Sequence, residues 1–361
     1  MEKITKPALL VDEEKCRKNI RIMAEKAKKN GIVFRPHFKT HQSHVVGNWF
    51  RDFGVDKIAV SSLGMAEFFA QDHWRDIMVA FPVNVREMES INSLASQIKL
   101  GIVISDSEAL AFLQAGLHEK LDFYIKIDVG SHRTGFDATA TELLGELLAE
   151  ATANAYLTFR GFVAHAGHSY QTQSLNEVHK IYHTGVDQLE VLKDAFIQDY
   201  PGLLISWGDT PTCSLMEEFE GVDEIRPGNF VFYDLCQYHL GSCDWEQIAV
   251  VVAAPVVAKH RERQEVVLYA GTVHLSKDHC QIHNSSNIYG EVILFSEKGW
   301  KRFSKPIYMD RLSQEHSILC CPEEYWDCFH VGDLVGIVPV HSCLTANLMK
   351  EFHDTDGNLL V

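Results

Sequence analysis

Residues 121–165 read LDFYIKIDVGSHRTGFDATATELLGELLAEATANAYLTFRGFVAH. The stretch opens on Leu121–Val129, a run of aliphatic and aromatic residues of the kind that forms a strand buried on both faces. A polar turn follows, then a helix-forming segment over Ala138–Ala153, then a second strand-like run, Leu157–His165. Strand, helix, strand is the unit of α/β architecture.

The same alternation continues in both directions. Ile32–Pro36, Lys57–Ser61, Asp76–Pro82 and Leu100–Ser105 precede it as strands, and Leu203–Trp207 and Glu224–Phe232 follow. Helices are predicted over Glu13–Lys29, Ser107–Leu117, with Ser107 as N-cap, and Ser174–Gln198. Eight strands alternating with helices predict a (β/α)8 TIM-type barrel. The competing open doubly wound sheet is disfavoured because no GxGxxG follows a first strand. Past Tyr238 the pattern turns to strands with little helix: Val250–Ala258, Glu265–Gly271, Tyr289–Phe295 and Leu334–Pro339. The expected division is a barrel over residues 12–238 and a mostly-β domain over 239–361, to which residues 1–11 add the strand Ala8–Val11.

Composition excludes several function classes. A formal charge of −16 disfavours nucleic acid and anionic membrane as partners. No run of about 18 apolar residues predicts a membrane span. Met1–Pro7 carries no apolar run behind its charges, so no signal peptide is expected. Nine scattered cysteines without CxxC spacing argue against a disulfide framework and for a cytoplasmic location.

In a barrel, functional residues gather where strands end and βα loops begin. Five polar clusters fall there: Arg35–His41, Asp128–Gly135, His165–Tyr170, Gly208–Thr212 and Arg226–Asn229. Lys39 lies among Arg35, His37 and His41; neighbouring positive charge and partial burial would lower its pKa, as a lysine that attacks an aldehyde requires. Taken alone it is also compatible with a solvent-exposed loop lysine. The Gly208–Thr212 loop, with Gly228 and Asn229, could present backbone N–H groups to a phosphate; each stretch alone reads as an ordinary turn. Arg133 could donate to a phenolate or carboxylate, or form a surface ion pair. Tyr170 could bond a ring nitrogen or pack at the rim, where His165 and His168 could be polar lining. His341-Ser342-Cys343 follows a strand-like run, and residues two apart on a strand share a face, so His341 and Cys343 could ligate one Zn²⁺; otherwise they are a buried cysteine beside an incidental histidine.

RPHFKTH at 35–41, the Gly208–Thr212 loop, RPGNFVFYD at 226–234 and HSCLTANL at 341–348 together resemble eukaryotic-type D-serine dehydratases and their relatives, the D-threonine aldolases and 3-hydroxy-D-aspartate dehydratases, over essentially the whole chain. These resemble alanine racemase. The resemblance implies pyridoxal 5'-phosphate on Lys39 and a catalytic zinc on His341 and Cys343. It implies Arg133 at the cofactor's phenolic oxygen, Tyr170 near its ring nitrogen, His165 in the lining, and Thr210, Gly228 and Asn229 at the phosphate. It also implies a homodimer acting on a small D-amino acid. Cysteine at 343, where the aldolases carry aspartate, points to a dehydratase that eliminates water from D-serine or 3-hydroxy-D-aspartate to give a keto acid and ammonia. Gln314–Ser317 departs from the Glu-His-Gly type of stretch expected there, which leaves His316 without an assigned role. The rival readings are retro-aldol cleavage, racemisation, and a non-catalytic pyridoxal-phosphate carrier; the last gives residues 240–361 no purpose.

Overall fold

Short apolar runs separated by amphipathic segments can bury both faces of a sheet only by wrapping helices around it, and the computed structural model does this. It describes residues 3–172, 174–281, 287–296 and 299–360. The chain divides into one unit of residues 21–39 and 46–228 and another of residues 1–20, 40–45 and 229–361.

After β1 (Ala8–Val11) and α1 (Glu13–Lys29) come β2 (Val33–Phe34), α2 (His44–Arg51), β3 (Lys57–Val60), α3 (Leu63–Gln71), β4 (Asp76–Pro82), α4 (Met88–Ala95), β5 (Lys99–Ile104), α5 (Ser107–Gly116) and β6 (Leu121–Asp128). Then follow β7 (Phe136–Asp137), α6 (Thr141–Thr152), β8 (Leu157–His165), α7 (Leu175–Phe196), β9 (Leu204–Gly208), α8 (Thr210–Leu215) and β10 (Glu224–Ile225). Eight strands pair in parallel in the order β2-β10-β9-β8-β6-β5-β4-β3. The two ends of this sheet meet at a bridge between His37 and Ala59. There Phe38 N–H donates to Ala59 O at 2.8 Å and Ala59 N–H to Pro36 O at 2.9 Å. The result is a nearly closed parallel barrel, as expected.

Two local expectations need correction. Glu224–Phe232 is not one strand: pairing ends at Ile225, Pro227 offers no N–H, and Asn229–Val231 form a 3-10 turn. The apolar Phe230, Val231 and Phe232 are fully buried there, which gives them the composition of a strand without its geometry. The N-cap of α5 is Asp106, whose side chain accepts from Glu108 N–H, not Ser107.

Inside the barrel, Ala59, Met78, Val103, Tyr124 and Val163 pack as an apolar cluster. Beside them runs a polar ladder. The Arg35 guanidinium pairs with Glu224 and Asp76, each at 2.7 Å. Ser206 Oγ donates to Glu224 at 2.6 Å, and Arg226 Nε donates to Ser206 Oγ at 2.6 Å. Arg35 is thus neutralised within the barrel and is not the cation near Lys39 that its position in RPHFKTH suggested.

The other unit is built on β11 (Val250–His260), β12 (Glu265–Tyr269), β13 (Cys280–Gln281), β14 (Asn287–Ile288), β15 (Gly290–Ser296), β16 (Gly299–Leu312), β17 (His316–Cys320), β18 (Leu334–Pro339), β19 (Phe352–His353) and β20 (Leu359–Leu360), with helices α9 (Leu235–Leu240), α10 (Thr272–Leu275) and α11 (Ser342–Met349). Its sheet runs β12-β17-β16-β15-β18-β11-β1-β19-β20, and β11 also pairs with β12. All of these pairings are antiparallel except that of β1 with β19. Ala8–Val11 joins this sheet, as expected, pairing with Val250–Ala253.

Candidate functional site

Parallel strands bring the segments that follow them to one rim. The loop after β6 folds back on the Asp128 carboxylate, which accepts from the N–H groups of Gly130, Ser131 and His132 at 2.9 to 3.1 Å. Gly135 has φ +119°, and a Cβ there would lie 2.9 Å from Asp128 N and Lys126 O, so only glycine fits this turn. Arg133 is exposed on the same loop.

Positive charge concentrates at this rim. Lys126, near the end of β6, is 8% exposed. Burial, and then the charges of Arg226 and Arg133, pull its pKa down to about 7, with Asp128 pulling the other way. His165, at the end of β8, is held neutral, its pKa driven well below the ordinary histidine range by burial and by Lys126, Lys39, Arg133 and Arg226. Lys39 is exposed rather than partly buried, in the turn that follows the His37 bridge, where its N–H donates to His37 Nδ1 at 3.4 Å. The buried lysine is Lys126, which sequence reading passed over; a lysine in the middle of LDFYIKID, an otherwise apolar strand, was the available signal.

Thr210 starts α8, and its N–H donates to Tyr170 Oη at 3.0 Å. The Tyr170 and His165 rings lie 6.3 Å apart. Thr210 Oγ1 is buried with no hydrogen-bond partner among the described residues. Gly208, one turn earlier, leaves room for Arg226: a Cβ there would lie 3.1 Å from its Nη1. Gly228 follows at the end of the last barrel segment. Lys39, Arg133, His165, Tyr170, Thr210 and Gly228 therefore belong to the barrel unit, with Lys126 and Arg226. A knot of cations lies beside an unsatisfied hydroxyl, in a chain of net charge −16. That suits a small anionic group bearing phosphate. These residues fit pyridoxal phosphate.

Asn229 is the next residue in the chain. Its side chain belongs to the β unit, where Nδ2 donates to Asp234 at 2.6 Å, Ser342 Oγ at 3.1 Å and Cys343 Sγ at 3.6 Å. Asp234 also accepts from Ser342 N–H at 2.9 Å and so fixes the first turn of α11. His341 is the N-cap residue of that helix and Cys343 lies in its first turn, so the two do not share a strand face. Helix geometry still brings them into contact. Burial lowers the His341 pKa, but hydrogen bonds to Asp278 and Cys343 outweigh it and raise it to about 11. Asp278 Oδ2 lies 2.7 Å from His341 Nδ1. Thr40, the residue after Lys39, places Oγ1 3.2 Å from Cys343 Sγ.

An imidazole oriented by a carboxylate, beside a thiol, is a donor set that suits Zn²⁺. Among the described residues no group of three or more His, Cys, Asp or Glu is arranged to hold a metal. Asp278 and Asp234 were missed by sequence reading because their roles depend on contacts 63 and 108 residues away in sequence.

Comparison with known proteins gives a consistent set of matches. Residues 11–235 match the family described as "Alanine racemase, N-terminal domain", and residues 249–354 the family described as "Putative serine dehydratase domain". D-serine dehydratase of Dictyostelium discoideum is 30% identical, over 96% of this chain and 92% of its own. The structure of D-threo-3-hydroxyaspartate dehydratase from Delftia sp. HT23 superposes with a TM-score of 0.90 at 25% identity, covering 99% of this chain and 97% of that one. A cysteine-to-alanine mutant of the same enzyme, in the metal-free form, matches with equal coverage and score.

Proposed function

The chain belongs to the alanine racemase N-terminal domain family and carries a serine dehydratase domain behind it, and on that premise we propose that it is a pyridoxal-phosphate- and zinc-dependent dehydratase that eliminates water from a D-3-hydroxy amino acid. D-Serine and 3-hydroxy-D-aspartate are the two substrates its relatives indicate. The observation that carries the reading is the cluster of Lys39, Lys126, Arg133 and Arg226 around His165.

In this reading Lys39 Nζ would hold the cofactor, and its free amine would serve as the base for the Cα proton. Thr210 and Gly228 hold the phosphate, with Tyr170 supporting the Thr210 N–H. Arg133 supplies positive charge for the phenolic oxygen, and His165, kept neutral, lines the site without adding a further charge. His341 and Cys343 hold the metal, with Asp278 orienting the imidazole. Pyridoxal phosphate, when bound, supplies the electron sink at Cα. Zinc supplies Lewis acidity for the β-hydroxyl, a poor leaving group that an electron sink at Cα does not activate. The metal-free form of the D-threo-3-hydroxyaspartate dehydratase mutant supports a metal in that relative and, by likeness, here.

Homodimeric assembly and a cytoplasmic location are part of the same proposal. All nine cysteines are free thiols, which supports a reducing compartment. No helix among the described residues is long and apolar enough to cross a membrane. Light scattering should give about twice the 40.9 kDa chain mass for a dimer.

The deciding experiment incubates protein, pyridoxal phosphate and zinc with D-serine, D-threonine and 3-hydroxy-D-aspartate, then identifies products and maps the peptide labelled after borohydride reduction. Keto acid and ammonia, with the label on Lys39, support the proposal. Glycine and an aldehyde, or a label elsewhere, overturn it.

A further inference from the structure

Asp209 is 2% exposed, and no Lys, Arg or His is paired with it among the described residues. Burial pushes its pKa up to about 6, with hydrogen bonds from Thr212, Ser169 and Trp207 limiting the rise. It caps α8, but a serine, threonine or asparagine would do that without burying a carboxylate. The carboxylate does more. Oδ1 accepts from Thr212 N–H at 2.8 Å and from Ser169 Oγ at 3.0 Å, and Oδ2 accepts from Thr212 Oγ1 at 2.7 Å. Thr212 Oγ1 accepts in turn from Trp207 Nε1 at 2.7 Å, so this hydroxyl is fully engaged.

Ser169 thereby ties the loop after β8 to the residue before Thr210, and the Thr212 bonds close the turn on its other side. Ser169 precedes Tyr170, whose hydroxyl receives the Thr210 N–H. Pro211 has no N–H to offer. In Thr210-Pro211-Thr212 one hydroxyl is left over, and it is that of Thr210.

We infer that Asp209 is a positioning residue for the cofactor phosphate: by holding Ser169 and Thr212 it leaves Thr210 Oγ1 as the loop hydroxyl presented to that group. The inference rests on the pyridoxal-phosphate reading. It implies that weakening the brace costs affinity for the phosphate and not for the pyridine ring.

The test is calorimetric titration of the full-length apoprotein with pyridoxal phosphate, with pyridoxal and with inorganic phosphate. Asp209→Asn cannot accept from all three donors, and Ser169→Ala removes one donor. Both should weaken pyridoxal phosphate and inorganic phosphate by about tenfold while pyridoxal changes by less than about threefold. Equal weakening of both vitamers, no change in either, or tighter phosphate binding by Asp209→Asn overturns the inference. If Asp209→Asn does not fold, Ser169→Ala decides. Wild-type protein that fails to attach pyridoxal phosphate to Lys39 overturns the functional reading instead, and the two failures are distinguishable.

Discussion

Replacing Lys126 by methionine should stabilise the cofactor-free protein at neutral pH and leave it unchanged at high pH. Methionine keeps the length of the side chain and removes its charge from a site that is 8% exposed. The lysine pKa falls from 10.5 to about 7 on folding. A base with a depressed folded pKa binds fewer protons in the native than in the unfolded state between those two values. Its contribution to stability therefore rises with pH across that window, and its penalty is largest at and below pH 7. The change from 10.5 to about 7 corresponds to about 4 kcal/mol lost at pH 7 and to very little at pH 10.5. Urea unfolding of wild type and Lys126→Met, without cofactor, at pH 7 and pH 10 should show a difference near 4 kcal/mol that shrinks to about 1 kcal/mol. An anionic ligand recovers part of the penalty in the wild type, so Lys126→Met should also bind pyridoxal phosphate more weakly. A difference independent of pH, or a variant less stable than wild type at pH 7, would refute the reasoning.

Other perturbations test separate parts of the molecule. Cys343→Ala should lose its zinc on dialysis while borohydride still labels Lys39, and elemental analysis showing full metal content would remove Cys343 from the ligand set. Glu224→Gln leaves the buried Arg35 and Arg226 charges less compensated and should cost about 3 kcal/mol in urea unfolding; a loss below about 1 kcal/mol would mean that the polar ladder is not electrostatically coupled. Gly208→Ala puts a Cβ 3.1 Å from Arg226 Nη1; it should cost about 1 to 2 kcal/mol and weaken pyridoxal phosphate binding, and unchanged affinity would show that the guanidinium can yield.

The legible parts of the fold are those governed by local composition. β4, β5, β6 and β8 are apolar runs bounded by polar turns, and their ends lie within a residue of where the runs stop. β2 and β10 are two residues each, and their partners are set by the closure of the barrel rather than by their own composition. β16 carries no apolar run to mark it: Lys301, Arg302, Lys305, Asp310 and Arg311, with Pro306, interrupt its pattern, and Arg302 is held by the buried Glu291, a partner that only the fold supplies. The same division holds for the site. Lys39, Arg133, His165 and Thr210 lie in or at the edges of polar segments whose composition marks them. Lys126, Asp209 and Asp278 act through partners that only the folded chain supplies. His341 and Cys343 were legible as a pair of residue types but not as a geometry, because the chain turns into a helix at Ser342 instead of continuing as a strand.

The pairing of Val33 with Glu224 has a consequence for the order of assembly. The two residues are about 190 positions apart, so this contact is among those that form late. At 5 to 20 residues per second a ribosome takes on the order of 10 to 40 s to go from one to the other. Throughout that interval β2 lacks its β10 neighbour, and once β9 is made the open edges are those of β2 and β9, which can recruit other chains. Arg226 and Gly228 are synthesised only at the end of it. A nascent chain or a fragment ending before Ile225 has Lys39, Lys126, Arg133 and Thr210 but neither Arg226 nor Gly228. On the proposed function, full affinity for the cofactor would therefore arrive only with the last barrel segment.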